Sequence, residues 1–388
     1  MRIAIVGGKL QGSEAAYLAR KAGWKVYLVD NKTDVPARGL SDFFLQADVN
    51  CRGKWEDFLE QADVVLPCLE EETALTSLWQ WSSTKDIPLV YDPRSYFLSS
   101  SKKRTDDFLD LLGIPRPRSW PNCALPVLAK PSSGSGSKAV KVLCSSEEIS
   151  VCSAQDSESN PWIFQEFLKG ASYSLEIIGD GSSFWTLQIT KLEMDSQFDC
   201  KRVLAPADLP LALAKNLEDI ALQIAQALKL KGIMDVEVIL DQEEFKVLEI
   251  DARLPSQTPI AVYWSTGWNM LEILCGVLNK KERPVFEKKR ESCVILEHLR
   301  VAPGSFEVAG EHIMAIEEPY QAIKNFYGAD EAITNYAPNR KDWVATLICT
   351  GKDRQEANFK RDAAIYAIKK EYSLPALQDE APPEPESV

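Results

Sequence analysis

The run Lys246-Val247-Leu248-Glu249-Ile250-Asp251-Ala252-Arg253-Leu254 constrains the fold of this chain more than any other stretch. Its apolar and charged residues alternate. On a β-strand that places Glu249, Asp251 and Arg253 on one face and Leu248, Ile250 and Ala252 on the other. Residues 232–240 upstream repeat the strand pattern, and the polar Asp241-Gln242-Glu243-Glu244 joins the two, which predicts a hairpin. The hairpin sets Glu237 beside Glu249 and Asp251. Carboxylates so close repel one another unless a hard cation lies between them. Two readings stand at this point, a solvated sheet face of alternating charge and a set of metal-holding acids.

Composition removes several classes. A chain of 388 residues has room for two or three domains and a sizeable core. A net charge of -13 opposes general nucleic-acid binding, because phosphate backbones reward basic surfaces. No apolar run approaches the roughly 20 residues of a membrane span. The chain enters a strand pattern at Ile3, unlike a secretory signal. The nine cysteines are odd in number, scattered and without a C-x-x-C pair, which suits reduced structural thiols in a cytoplasm. His298 and His312 are the only histidines, and nothing sets a nucleophile beside either, so both read as structural.

Strand and helix patterns alternate from residue 1 to about 95, with strands over 3–6, 25–30, 62–67 and 89–91 and a helix over 13–22. This predicts a parallel α/β domain with its ligand edge at the strand C-termini. The turn Gly7-Gly8-Lys9-Leu10-Gln11-Gly12 fails as a dinucleotide fingerprint, because Lys9 stands at the second glycine. It fails as a P-loop because Ser13-Glu14 stand where Lys-Ser/Thr is required. It reads either as one wall of a site, with amides free at a helix N-terminus, or as a plain β–α turn. Glu70-Glu71-Glu72 either complement a helix dipole or hold a substrate ammonium.

Lys102-Lys103-Arg104 opens a helix whose dipole disfavours cations, a cost that an anion nearby would explain. Strand patterns at 127–131 and 139–143 flank Ser132-Ser133-Gly134-Ser135-Gly136-Ser137-Lys138, with Lys130 just before it. Amides and hydroxyls in such a loop wrap phosphate oxygens, although a floppy hairpin tip has the same composition. Residues 150–160 read as a linker-like surface loop. The strand pattern from Trp162 runs into Gln165-Glu166-Phe167-Leu168, an extended segment able to pair its backbone with the edge of a flat base. Strands over 173–178 and 183–189, a helix over 211–230, a strand over 343–349 and a helix over 355–371 complete the pattern. The end is rich in proline and acid and reads as disordered.

Taken in order, these pieces resemble the ATP-grasp family. The resemblance rests on Lys102 before Gly113-Ile114-Pro115, Lys130-Pro131 with the Ser/Gly loop, Gln165 to Leu168, Glu237, and Glu249-Ile250-Asp251-Ala252-Arg253. It spans nearly the whole chain. It implies a mixed α/β (α+β) fold: a parallel α/β pre-ATP-grasp domain at 1–95, a central ATP-grasp domain at 96–185 with a β-rich lid from about 120, an antiparallel-sheet catalytic domain at 186–378 and a disordered tail at 379–388. It implies ATP and Mg2+ as cofactors, small amino-acid substrates, no nucleic-acid or membrane partner, and a cytoplasmic ADP-forming carbon–nitrogen ligase that works through an acyl phosphate.

By that resemblance Lys102, with Lys103 as fallback, and Lys130 bind phosphates, and Ser132, Ser133, Gly134, Ser135, Gly136, Ser137 and Lys138 form the mobile lid. Gln165, Glu166, Phe167 and Leu168 form the adenine hinge, the Glu166 carbonyl and Leu168 amide facing the base, and Lys9 and Asp30 add nucleotide contacts. Glu237, Glu249 and Asp251 hold magnesium, and Arg253 faces the reacting carboxylate rather than its acidic neighbours. Leu10, Gln11, Gly12 and Glu72 are placed against one amino acid, Glu176 and Ser256 against the activated one. The chain departs from the family pattern at Ser172, where an acid for the ribose is common, and at Asp251, where asparagine is usual. The alternatives are another ATP-grasp carboxylase or ligase of purine or diamino-acid metabolism, a non-catalytic nucleotide sensor, and a dinucleotide-binding oxidoreductase built on Gly7 to Asp30.

Overall fold

A computed structural model of the chain describes residues 1–134, 136–137, 139–154, 160–278 and 289–382. The N-terminal strands form a four-stranded parallel sheet in the order Phe43–Gln46, Lys25–Asp30, Arg2–Val6, Val64–Pro67. Both faces are covered, so Arg2–Val6 is buried after its first residue, as parallel strands require. The strand predicted over 89–91 is only a single bridge from Leu89 to Val65.

Helix Leu10–Lys21 is buried continuously from Gln11 to Ala19 because it is packed on all sides. Its polar residues pin it to the C-terminal body: Trp264 Nε1 donates to Tyr17 Oη at 2.8 Å, Asn269 Nδ2 to the Leu18 carbonyl at 2.8 Å, and Lys21 pairs with Glu331 at 2.6 Å. The first sheet is thereby docked with its strand ends, and the turn at Gly7, over the rest of the molecule.

A twelve-stranded sheet forms that body. Its first strands run in the order Glu244–Asp251, Lys231–Asp241, Ala171–Asp180, Thr190–Met194, Cys200–Ala205, all antiparallel, with helix Leu211–Leu228 beneath them. The lid is a separate three-stranded sheet, Lys141–Leu143, Val127–Pro131, Trp162–Glu166. The domain cut expected at 185 runs through the body: strand Ala171–Asp180 pairs along its length with Lys231–Asp241. Leu109 and Ile114, from the segment before the lid, share that core too.

Two expectations about loops fail. Residues 150–153, read as linker, end a helix Ser146–Ser153, which a capping box starts: Ser145 Oγ accepts from the Glu148 amide, and the Glu148 carboxylate accepts from the Ser145 amide. Asp379, read as the start of a disordered tail, lies in strand Gln378–Asp379, which pairs with Glu307 and Val308. Its carboxylate meets Lys201 and Arg202, each at 2.6 Å. Burial of those two cations ahead of a charged tail supplies the reason for order: they need a counter-charge.

Candidate active site

Local geometry begins at a bulge. Glu237 lies opposite Glu249, but Val238 lies opposite Val247, so Leu248 is the extra residue of its strand. The bulge lets Phe245, Val247 and Ile250 all reach the core while Glu249 and Asp251 stay on the other face. Leu248, expected on the apolar face with Ile250, is half-buried at the cavity, and its carbonyl accepts from Lys130 Nζ at 3.3 Å. The adjacent apolar pair Val247-Leu248, which interrupts the alternation, is the signal for it.

Register then lays side chains out in rows across three strands. Ser174, Glu237 and Glu249 form one row, and Glu176, Asp235 and Asp251 the next. Asp235 carries no role in the sequence pattern, although it stands two residues before Glu237 on the same face. It is 4% exposed, lines the cavity, and its Oδ1 has no hydrogen-bond partner among the described residues. Glu176 is 0% exposed and lies behind the cavity rather than on its wall, so its placement against substrate is not seen.

The cavity has a volume of about 950 Å³ and is walled by residues between Val6 and Ala315. Lys9, Leu10, Gln11 and Asp30 line it from the first domain. Asp30 Oδ2 accepts from the Gly8 amide at 2.7 Å, tying the turn to the end of the second strand. Gly12 does not line it. A Cβ there would sit 2.1 Å from the Gly7 carbonyl oxygen, so this glycine lets the helix close over the turn. Glu72 opens helix Glu72–Ser83 and also stays off the wall; Glu70 and Glu71, one step earlier in the loop, are on it.

At the phosphate end, Lys102 Nζ donates to Glu249 Oε1 and to the Gly134 carbonyl, each at 2.7 Å. Burial pulls this ammonium's pKa down, but Glu249, helped by Asp251 and Glu237, outweighs it and leaves the pKa raised. Lys130 is buried without such a partner, and burial leaves its pKa lowered. Lys103 is not on the wall. Ser133, Gly134, Gly136 and Ser137 line the cavity from the lid. Ser132 instead turns to Ser101 Oγ at 3.1 Å and takes the Lys102 amide on its carbonyl at 2.8 Å, so it positions Lys102. Ser135 and Lys138 lie outside the described residues. Gln165, Glu166, Phe167 and Leu168 all line the cavity, as does Ser172. Their segment is braced from outside: Gln165 Nε2 donates to Asp106 at 2.9 Å, and the Glu166 carboxylate accepts from Arg118 Nε at 2.7 Å and Lys246 Nζ at 3.0 Å.

At the other end Arg253 meets Glu70 at 2.8 Å and Asp251 at 3.0 Å. The expectation that it turns from its acidic neighbours is therefore corrected: a buried guanidinium takes the nearest counter-charges. With its amide oxygen turned to the guanidinium, Gln11 accepts from Arg253 Nε at 3.0 Å. Ser256 lies on the wall beside it.

Among the described residues no three acidic, cysteine or histidine side chains converge into a ready-made metal cage. Glu249 and Asp251 lean on Lys102 and Arg253 instead. Magnesium seldom uses an all-protein cage; it keeps waters and takes one or two carboxylates with substrate phosphates. The charge state fits such an ion. Burial and then repulsion from Glu249 and Asp251 push the Glu237 carboxyl up to about 8. Burial pushes Asp251 up to about 7, even with Arg253 pulling the other way. A divalent cation would relieve both.

Comparison with known proteins places the chain in a family. An ATP-grasp domain profile matches residues 99–257. The chain is 33% identical to 3-methyl-D-ornithine–L-lysine ligase of Methanosarcina acetivorans over 371 residues, which cover 95% of this chain and 97% of the relative. It is 30% identical to the enzyme of the same name from Methanosarcina mazei, over 96% of this chain and 97% of the relative. Its fold is similar to that of N5-carboxyaminoimidazole ribonucleotide synthetase in an ADP complex, with a TM-score of 0.70, 15% identity, and coverage of 95% of this chain and 97% of the other. The chain belongs to the ATP-grasp family, in the group of the 3-methyl-D-ornithine–L-lysine ligases.

Proposed function

We propose that the protein joins the carboxylate of 3-methyl-D-ornithine to the ε-amine of L-lysine with the hydrolysis of ATP to ADP and phosphate, a step of pyrrolysine biosynthesis. The observation that carries this reading is similarity along 95% of the chain to a ligase of that name. The cavity supports it, since Lys102 and Lys130 stand at the phosphate end and acids such as Glu71 and Glu311, able to meet cationic amino acids, line it elsewhere.

In this reading the ornithine carboxylate attacks the γ-phosphorus of ATP, forming an acyl phosphate and releasing ADP. Lys102, Lys130 and the lid amides at 133–134 and 136–137 hold the phosphates and neutralise charge on the transferred group. The hinge at Gln165 to Leu168 receives the adenine. Mg2+ held by Glu237, Glu249 and Asp251 would spread the charge of the phosphates. Arg253 orients the carboxylate and then stabilises the oxyanion as the amine attacks. No enzyme nucleophile is needed, which suits the nine free cysteines, six of them buried. Those free thiols also favour a reducing cytoplasm.

The test is mass spectrometry of the product formed from ATP, Mg2+, L-lysine and 3-methyl-D-ornithine by the full chain. A mass equal to the two amino acids less one water supports the reading. ADP release with bicarbonate alone, and no such product, overturns it.

A further inference from the structure

Amide formation needs a neutral amine, yet lysine enters as an ammonium, so something must take its proton. Most carboxylates in the cavity are already committed. Glu249 is held by Lys102, Asp251 and Glu70 by Arg253, Glu166 by Arg118 and Lys246, and Asp199 by His312. Glu237 and Asp235 lie on the strand assigned to the metal. Glu311 remains. It is 8% exposed, lines the cavity, and forms no ion pair with any described cation.

The fold builds a seat for this side chain. The loop that carries Arg253 continues into Ser256 and Gln257, whose side chains stand close enough to the Glu311 carboxyl to pull its pKa down. From the opposite side, Asp195 Oδ2 accepts from the Gly310 amide at 2.8 Å, and Asp199 Oδ2 accepts from the His312 amide at 3.0 Å. His312 Nδ1 meets the same oxygen of Asp199 at 2.6 Å. A Cβ on Gly310 would lie 2.4 Å from the Asp199 carboxyl carbon, so only glycine allows this approach. Backbone on both sides of Glu311 is thus fixed by one loop, and its carboxyl lies against another.

We propose that Glu311 is the general base of the second half-reaction, accepting a proton from the attacking lysine ammonium. This rests on the ligase reading above. One ammonium proton passes to the Glu311 carboxylate, and the freed nitrogen lone pair forms the C–N bond. The C–O bond to phosphate then breaks with its electron pair, and a second nitrogen proton leaves with the phosphate as HPO4 2-. The electrostatics agree. Burial, with Asp199 adding to it, raises the Glu311 carboxyl to about 7 in spite of the opposing pull of Gln257, Ser256 and Arg253. Glu14 and Glu237 are the other charged groups within reach. A base so placed is ionised near neutral pH yet basic enough to be useful. Glu311 lies outside the matched ATP-grasp segment 99–257, where a residue specific to this branch's amine is expected.

The test separates the two half-reactions in the full-length Glu311→Gln variant. Hydroxylamine, a neutral nucleophile at pH 7, traps an acyl phosphate as hydroxamate without needing a base. Glu311→Gln should form hydroxamate from ATP and 3-methyl-D-ornithine within threefold of the parent chain, which also shows that it folds. Its amide formation with lysine should fall at least about a hundredfold and recover about tenfold per pH unit toward the amine's own pKa of about 10.4. The parent rate should level off above pH 7. Equal loss of hydroxamate and amide, or an amide rate unchanged, overturns the role of Glu311. Absence of hydroxamate with the parent chain overturns the ligase reading itself and the role of Glu311 with it.

Discussion

Lys102 and Glu249 depend on each other, which makes their variants informative in two ways. Glu249→Ala should lower ADP release at least about a hundredfold, roughly 2.7 kcal/mol of transition-state stabilisation. It also leaves the Lys102 ammonium, 11% exposed, without its carboxylate. A cost to stability of about 1–3 kcal/mol follows, read as a lower urea midpoint. Glu249→Gln keeps an acceptor for Lys102 and should show the activity loss with little change in midpoint. Full turnover in both would sink the metal assignment. Asp251→Asn should behave differently. Asparagine still accepts from Arg253, and the change removes one of several repelling carboxylates. Activity should stay within about tenfold, about 1.4 kcal/mol, and the midpoint should hold or rise. A hundredfold loss would mean that the negative charge itself is required. These pairs are partly legible in the sequence, because alternation and order place Glu237, Glu249, Asp251 and Arg253 together. Alternation cannot say which cation meets which acid. Lys102 reaches Glu249 across 147 residues of chain, and Glu70 rather than Glu72 reaches Arg253 because a loop ignores helical spacing.

Elements carry the errors of local pattern and also its successes. Long strands and helices such as Lys25–Asp30, Leu211–Leu228 and Arg354–Tyr372 fall within one or two residues of their hydrophobic periods. What failed depends on partners distant in sequence. Strand Ala171–Asp180 looks like part of the lid region until its pairing with Lys231–Asp241 is seen. Strand Gln378–Asp379 has no period at all; it is ordered by charge. Arg202 meets Glu193, Glu297 and Asp379, and Arg361 joins the same group through Glu297. Ending the chain after Leu377 removes Asp379 and the Glu380 carbonyl, both of which face Lys201. Lys201, with its side chain 6% exposed, then has no ion-pair partner among the described residues. The truncated chain should lose about 3 kcal/mol, seen as a lower denaturant midpoint with an unchanged slope. A midpoint equal to that of the full chain would show the strand to be dispensable.

At the scale of the whole molecule, the two domains meet around acids that are buried for the sake of the site, and stability should record this. Glu14, on the helix between the domains, accepts from the Ile260 amide at 3.1 Å. Burial raises its carboxyl to about 8. Burial likewise raises Glu176 and Glu311 to about 7 each. All three start from an ordinary value of 4.5 in the unfolded chain. Between that value and the raised ones the folded chain holds protons that the unfolded chain has released. Stability must then fall as pH rises through this window and flatten above about 8. Carboxylates depressed by ion pairs, such as Asp110 beside Arg116 and Glu166 beside Lys246, act in the opposite sense but only below their ordinary values. In the window from pH 5 to 8 His298, pushed down to about 3 by burial, opposes the trend up to its ordinary value of 6.5, but it is one group against several buried acids. The ligand-free protein should therefore melt on the order of 5 °C higher at pH 6 than at pH 8. Glu14→Gln, which keeps an acceptor for the Ile260 amide but cannot ionise, should flatten that slope and raise Tm most at pH 8. A Tm that is level or rising from pH 6 to 8 in scanning calorimetry would show that these carboxyls are ionised in the folded chain.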